Sequence, residues 1–205
     1  MYHITHIDNL PSICGDGRLH CCSELRGRNA GDCDIAHAHI QDRRAATSVP
    51  CAAGGRLHDY VPFYFAPRSP MLYAIGRGNV AGYSDGAGPI IHLVSSVAAV
   101  AAAGIPFAFT DGHATVAITR FFSSLEDLDQ VDWPVMSQTY WNDTNEDPDR
   151  KRRRQAEFLV HRAFPWHLIE EIGVASATVR QRVEDTLKDE SNTPRITIQR
   201  GWYYH

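Results

Sequence analysis

The chain is predicted to fold as an α+β domain, on three observations. Short apolar runs bounded by turn residues recur along it, as at Tyr60–Ala66, Ile90–Val94 and Ala156–Val160. Short helical stretches separate some of these runs and not others, unlike the regular alternation of a parallel βαβ protein. The 205 residues, 43% hydrophobic and 21% charged, suit a single domain over 1–205 with a core that needs no disulfide.

Element by element, Tyr2 to Ile7 reads as a strand. Asp8-Asn9 then turns the chain into a short helix from Leu10, ended near Gly15 and Gly17. Residues 20–56 show little sustained periodicity and are expected to be irregular, and a segment of that length is usually functional or mobile. Tyr60–Ala66 is a dense aromatic strand, and Ser69-Pro70 opens a helical turn running to Ile75. Ile90–Val94 is a buried strand, after which Ser95-Ser96 cap an Ala-rich helix stopped by Gly104. Phe107–Thr110 is a further strand, and Leu125, Leu128 and Val131 fit a short helix before an acidic stretch at Asn142–Asp149. Ala156–Val160 is a strand, Trp166–Ile172 a helix, 176–188 a helix and Arg195–Gln199 a final strand.

Composition narrows the function. No run approaches the ~18 apolar residues of a membrane span. Met1-Tyr2-His3-Ile4-Thr5-His6 has no secretory character, so a cytoplasmic location with no membrane partner is expected. Cys14, Cys21, Cys22, Cys33 and Cys51 lack a C-x-x-C pair, and adjacent Cys21-Cys22 cannot easily share a tetrahedral ion, so no metal is expected. The net charge of −4 excludes a protein that coats nucleic acid indiscriminately, while leaving room for a local basic groove.

Such a groove is signalled by Arg150-Lys151-Arg152-Arg153-Arg154, five cations running into the apolar strand that carries Glu157. A carboxylate at a strand's beginning is held rigidly, and the cations beside it offer a landing surface for a polyanion. A solvated basic loop is the plainer account of the run. Two further pieces belong with it: His3 and Thr5 on the first strand, and Tyr64, Ser69 and Tyr73 around the aromatic strand. Tyrosines can sandwich a heteroaromatic ring, while His and Thr hydrogen-bond sugar hydroxyls and a carboxylate offsets positive charge on a ribosyl cation. Taken singly, Tyr64 and Tyr73 are more commonly packing aromatics, and His3 a satisfied strand histidine.

The order His, Tyr, Glu on three strands resembles the diphtheria-toxin-like branch of the ADP-ribosyltransferases. Longer runs sharpen the likeness: Tyr2–Leu10, Ile40–Ala45, His58–Tyr73, Phe109–Ala114, Asp147–Val160 and Trp202–Tyr204. Across nearly the whole chain these runs are similar to the DarT family, the toxins of DarT–DarG toxin–antitoxin pairs. That resemblance implies a split, mixed or antiparallel sheet flanked by short helices. It also implies transfer of ADP-ribose from NAD⁺ to a base of single-stranded DNA, typically thymine, in a short sequence context. By the same resemblance Glu157 is the catalytic glutamate, and Arg44 or its neighbour Arg43 assists the acceptor base. His3, Thr5 and Asn9 fall on the dinucleotide-binding part, and Tyr64, Ser69 and Tyr73 on the nicotinamide pocket. Residues 111–156 shape the target site, and the partner implied is the antitoxin DarG, a macrodomain protein. The Cys-rich segment at 20–36 matches least and leaves the adenosine end of the site unassigned.

Thymine N3–H is hidden in a base pair, so an enzyme acting there needs an unpaired or flipped base. Tyr140 or Trp141 is expected to stack on that base, and Arg150–Arg154 to hold its backbone. A packed anchor is an equal reading for Trp141. An arginine stays protonated, so Arg44 is expected to stabilise charge, with Glu157 the better proton acceptor. Three rival readings remain at this point: another acceptor (another DNA base, RNA or protein), an NAD⁺-dependent RNA 2′-phosphotransferase, and a non-catalytic nucleic-acid-binding module.

Overall fold

A computed structural model describes the backbone at residues 1–28, 35 and 38–204, and the side chains at 1–26, 35 and 40–204. The chain begins with β1 (Tyr2–His6), α1 (Leu10–Gly15), β2 (Arg18–His20), α2 (Cys22–Arg28) and α3 (Ala38–Ala46). It continues through β3 (Tyr60–Tyr64), α4 (Pro70–Gly76), β4 (Ile90–Val94), α5 (Val97–Ala102), β5 (Phe107–His113) and β6 (Phe121–Phe122). Then come α6 (Trp133–Ser137), α7 (Arg150–Arg153), β7 (Ala156–His161), β8 (Ala163–Pro165), β9 (Glu171–Val174), α8 (Ala177–Leu187) and β10 (Arg195–Ile198).

Eight strands form one mixed sheet in the order β10-β9-β4-β1-β3-β7-β5-β6, and β2 pairs with β8 beside it. Only β9 and β10 run parallel; every other recorded pairing is antiparallel. The expected α+β class and split mixed sheet are what the structure shows. The split falls at the sheet's centre, where β1 meets β3 through the single register pair Tyr2↔Tyr64. On its other side β1 pairs with β4 over five residues. Pro62 accounts for the parting. Its carbonyl faces β1, accepting from the His3 Nδ1 at 2.8 Å. In an antiparallel ladder a residue's N–H and C=O point to the same neighbour, so the donor that proline lacks is missing on that side.

Period-two alternation sorts the strands' side chains between faces. Along β7, Ala156, Phe158 and Val160 join the largest core cluster with Val61, Phe63 and Phe164, against Leu10 of α1 and Val183 of α8. Leu159 belongs to a different cluster with Tyr60 and Ala108. A third cluster packs Leu72 and Ile75 of α4 under Ile4, Ile90 and Tyr203. Ser69, Ser96, Asp132 and Ser176 cap their helices, each accepting the N–H three residues on.

Three expectations need correcting. The segment 20–56 is not irregular throughout, since it carries α2 and α3; α3 was illegible because its sequence is polar on all sides. Trp166–Ile172 is not a helix. It is a 3₁₀ turn over Trp166–Leu168 followed by β9, which is drawn into the sheet between β4 and β10. Backbone approach also matters there, because a Cβ on Gly173 would overlap the Trp202 indole. Leu125, Leu128 and Val131 contribute a 3₁₀ turn over Leu125–Gln130 that buries none of its own residues, with only Val131 beyond it in the core. Cys33 lies outside the described residues. Among those residues, no helix is long and apolar enough to cross a membrane, and no group of three metal-ligating side chains converges.

His92 gives the fold a pH dependence. It is fully buried on β4, with Nε2 3.0 Å from the Pro67 carbonyl and Nδ1 3.3 Å from the Tyr203 hydroxyl. Burial lowers its pKa to about 4. An unfolded histidine binds its proton near pH 6.5, so the stabilisation from neutral His92 is complete above that value and is lost as pH falls towards 4. We expect chemical denaturation to show a loss of about 2 kcal/mol between pH 7.5 and pH 5 from this group. A His92→Gln variant should show a shallower acid slope.

Candidate active site

Where β1 and β3 part, a cavity of about 600 Å³ opens, within the ~300–1,000 Å³ usual for ligand sites. Its walls come from β1 (His3, Thr5), the turn after it (Asn9), α3 (Gln41, Arg44), β3 (Tyr64) and α4 (Met71, Ala74). Glu157 of β7 and His113 of β5 also line it.

Glu157 is directly across from Tyr64 in the β3–β7 ladder and only 4% exposed. Its Oε2 accepts from Arg44 Nη1 at 2.7 Å, and its Oε1 from the Ala114 N–H at 3.3 Å. Its own N–H donates to Thr110 Oγ1 at 3.0 Å. The carboxylate is thus fixed from two sides and its backbone from a third. Arg44 sits in the last turn of α3, and its Nη2 is buried with no hydrogen-bond partner among the described residues. A buried guanidinium nitrogen without a partner is an unmet donor, to be satisfied by water or by a ligand. Neighbouring Arg43 points elsewhere, donating from an exposed position to the Thr115 carbonyl at 3.1 Å.

The surrounding groups are held neutral. His3 must donate from Nδ1 to Pro62 O, which leaves Nε2 as an acceptor. Burial lowers its pKa and so keeps it uncharged. Burial, with the Glu157 carboxylate next in importance, pushes the Tyr64 phenol far above its ordinary range. Thr5 Oγ1 accepts from Asn9 Nδ2 at 3.0 Å, joining the strand end to the following turn.

His113 and Ala114 were missed as functional residues. The Thr115 N–H lies 3.3 Å from His113 Nδ1, making that nitrogen the acceptor and leaving the proton on Nε2. Desolvation lowers the pKa of His113, opposed by the Glu157 charge. The signal available in the sequence was only position: His113 pairs with Ala156, the residue before Glu157.

Two expected pocket residues stand outside the cavity lining. Ser69 is buried as the cap of α4, accepting the Leu72 N–H at 3.1 Å. Tyr73 turns its ring edge-on to Trp141 and Tyr204, with the Arg77 guanidinium over its face. The helical repeat of α4 gives the cavity Met71 and Ala74 instead.

The basic run is also spent differently from the expectation. Arg152 forks onto Asp149 and reaches Asp111. Arg153 is held by Asp132 and Asp147. Arg154 is 4% exposed and donates to the carbonyls of Val135, Met136 and Arg68. Arg150 bonds Gln138 and the Tyr140 carbonyl, so among the described residues Lys151 is the member of the run whose side chain makes no hydrogen bond or ion pair. Asp147 and Asp149 lie just before the run in sequence, while the fold brings Asp111 and Asp132 to it. Trp141 is a packed anchor, 7% exposed, its indole N–H donating to Tyr204 Oη at 2.9 Å. Tyr140, at 82%, projects into solvent.

A family model described as DarT, ssDNA thymidine ADP-ribosyltransferase, matches residues 2–204. A DNA ADP-ribosyl transferase of Thermus sp. strain 2.9 is 51% identical over all of this chain and 95% of that protein. Thermus sp. 2.9 DarT in complex with ADP-ribosylated single-stranded DNA superposes with a TM-score of 0.92 at 50% identity, covering 99% of this chain and 95% of that one. The same Thermus protein in complex with NAD⁺ gives 0.85 at 46% identity, covering 99% and 96%. A DNA ADP-ribosyl transferase–DNA ADP-ribosyl glycohydrolase fusion protein of Thermosipho africanus is 26% identical over 96% of this chain and 47% of its own length. With its split sheet and its buried Arg44–Glu157 pair, the chain belongs to the DarT family of single-stranded-DNA thymidine ADP-ribosyltransferases.

Proposed function

We infer that the chain transfers ADP-ribose from NAD⁺ to thymine in single-stranded DNA, and that the cavity in the split is where the dinucleotide binds. The observation that carries this reading is Glu157, a buried carboxylate aimed into a cavity lined by neutral His3, Thr5 and Tyr64. NAD⁺ is a substrate here, consumed with release of nicotinamide. His3 Nε2 and Thr5 Oγ1 offer hydrogen bonds to a ribose, and Tyr64 offers its ring and a phenol whose pKa burial raises. Cleavage of the nicotinamide–ribose bond builds positive charge on the sugar, and Glu157 offsets it. The acceptor nitrogen must lose a proton, and Glu157 is the group able to take it. Arg44, already 2.7 Å from that carboxylate, uses its second nitrogen to stabilise the thymine anion. His113 Nε2–H is a further donor on the same wall. The landing surface for the DNA falls to exposed Tyr140 and Lys151, since Arg152–Arg154 and Trp141 are committed inside.

The chain is read as a single ADP-ribosyltransferase domain acting in the cytoplasm. Modification of genomic DNA poisons its host, so a neutralising partner is required. The fusion of a related transferase to a DNA ADP-ribosyl glycohydrolase supports a macrodomain antitoxin of the DarG kind. The test is mass spectrometry after incubation with NAD⁺ and matched oligonucleotides. A single-stranded oligonucleotide containing thymine should gain one ADP-ribose. A thymine-free strand, a fully paired duplex and RNA should not. Modification of RNA or protein with the DNA left untouched would overturn the assignment.

A further inference from the structure

We propose that Arg152 is a positioning residue for the reaction, clamping the turn over residues 110–119 around Glu157, and not a DNA-phosphate contact. The inference rests on the reading of Glu157 and the cavity just given.

The turn supplies much of the site. It carries His113, the Ala114 N–H that reaches Glu157 Oε1, and the Thr115 carbonyl that accepts from Arg43. It begins at an irregularity in β5, whose register against β7 shifts between Phe109 and His113. A bulge of this kind re-aims side chains but leaves backbone groups outside the ladder, so something else must hold it. Arg152 does so from α7. Its Nη1 donates to Asp111 Oδ1 at 3.1 Å and to Thr119 Oγ1 at 3.2 Å. The Thr119 hydroxyl in turn donates to the His113 carbonyl at 2.9 Å. The other edge of the guanidinium is fixed by Asp149, at 2.8 and 2.7 Å. Gly112 makes room for the clamp, because a Cβ there would overlap the Arg152 guanidinium. Beneath it Thr110 closes the loop, donating to Gly112 O at 2.7 Å and accepting from Glu157 N. One planar cation thus ties both ends of the turn to the helix that precedes Glu157, a geometry lysine cannot reproduce.

The two roles separate in measurements on the full chain. A displaced site residue lowers turnover at saturating substrates, commonly by about 10²-fold for an ångström of misplacement. A lost phosphate contact instead weakens DNA binding and lowers the slope of log affinity against log salt by about 1. Arg152→Ala should cut kcat about 10–100-fold at saturating thymine oligonucleotide, with DNA affinity and salt slope unchanged. Arg152→Lys should recover only part of that loss. Thr119→Val, which keeps the side chain's shape and removes the bridging hydroxyl, should lower kcat in the same direction, and it serves as the test if Arg152→Ala does not fold. Turnover in Thr119→Val and in the folded Arg152 variants equal to wild type would overturn the proposal, as would a defect that saturating DNA erases. Wild-type protein in the same assay separates the two readings: absence of thymine modification there overturns the function and the positioning role with it, whereas an active wild type beside variants of equal turnover overturns the clamp alone.

Discussion

Glu157→Gln is expected to lower ADP-ribose transfer to a thymine oligonucleotide by at least about 10²–10³-fold, the usual consequence of removing one preorganised electrostatic partner. The amide has nearly the carboxylate's size and can still accept from Arg44 through its oxygen, giving up only the longer 3.3 Å bond from the Ala114 N–H. The loss therefore reports charge and proton acceptance, not shape. A carboxamide cannot offset a sugar cation, and it cannot take the proton that the acceptor base must shed. Binding of NAD⁺ should persist in the variant, because His3, Thr5 and Tyr64 are untouched. Initial rates by mass spectrometry, alongside NAD⁺ titration of the same variant, would show the two effects parting. A variant that transfers at a tenth of the wild-type rate or better would remove Glu157 from the chemistry.

The second large effect is on Arg44, and it appears in stability as well as rate. Its side chain is 11% exposed and that of Glu157 6%, so Arg44→Ala strands a buried carboxylate. Breaking a buried pair from one side typically costs about 3–5 kcal/mol, and water entering from the adjoining cavity places this case at the lower end. Transfer should fall about 10²-fold or more in parallel. Arg44→Lys restores the charge but not the planar fork that reaches Glu157 and the cavity from two separate nitrogens, so it should recover stability more fully than activity. Arg43→Ala, which breaks an exposed bond to the Thr115 carbonyl, should cost less than about 1 kcal/mol and less than about tenfold in rate. Urea denaturation and steady-state rates on the three variants would decide between the two arginines. Equal effects at Arg43 and Arg44 would contradict the geometry.

Strands were the legible part of this fold. Tyr60–Tyr64, Ile90–Val94 and Ala156–His161 announce themselves because β-branched and aromatic residues are massed where both faces of the sheet are covered. β9 did not, because its Glu171 and Gly173 serve neighbours distant in sequence: Arg195 and Thr197 on β10, and the Trp202 ring. α3 escaped notice since its few apolar residues are scattered among charged and polar ones and form no stripe to betray it. At the site, Glu157, His3, Thr5 and Tyr64 are brought together as the order of strands implied. The choice between Arg43 and Arg44 depends on helical phase, which an unrecognised helix could not supply. The basic run misled for a physical reason. Spacing along the chain shows where cations cluster, and the carboxylates that neutralise them come from β5 (Asp111), the cap of α6 (Asp132) and the loop before α7 (Asp147, Asp149), which only the fold brings together.

Those internal pairings bear on how long the protein dwells on nucleic acid. A surface that keeps guanidinium groups for itself, on a chain of net charge −4, releases few counterions when it meets a phosphate backbone. We therefore expect weak, weakly salt-dependent retention on duplex DNA, measurable as a shallow slope of log affinity against log salt.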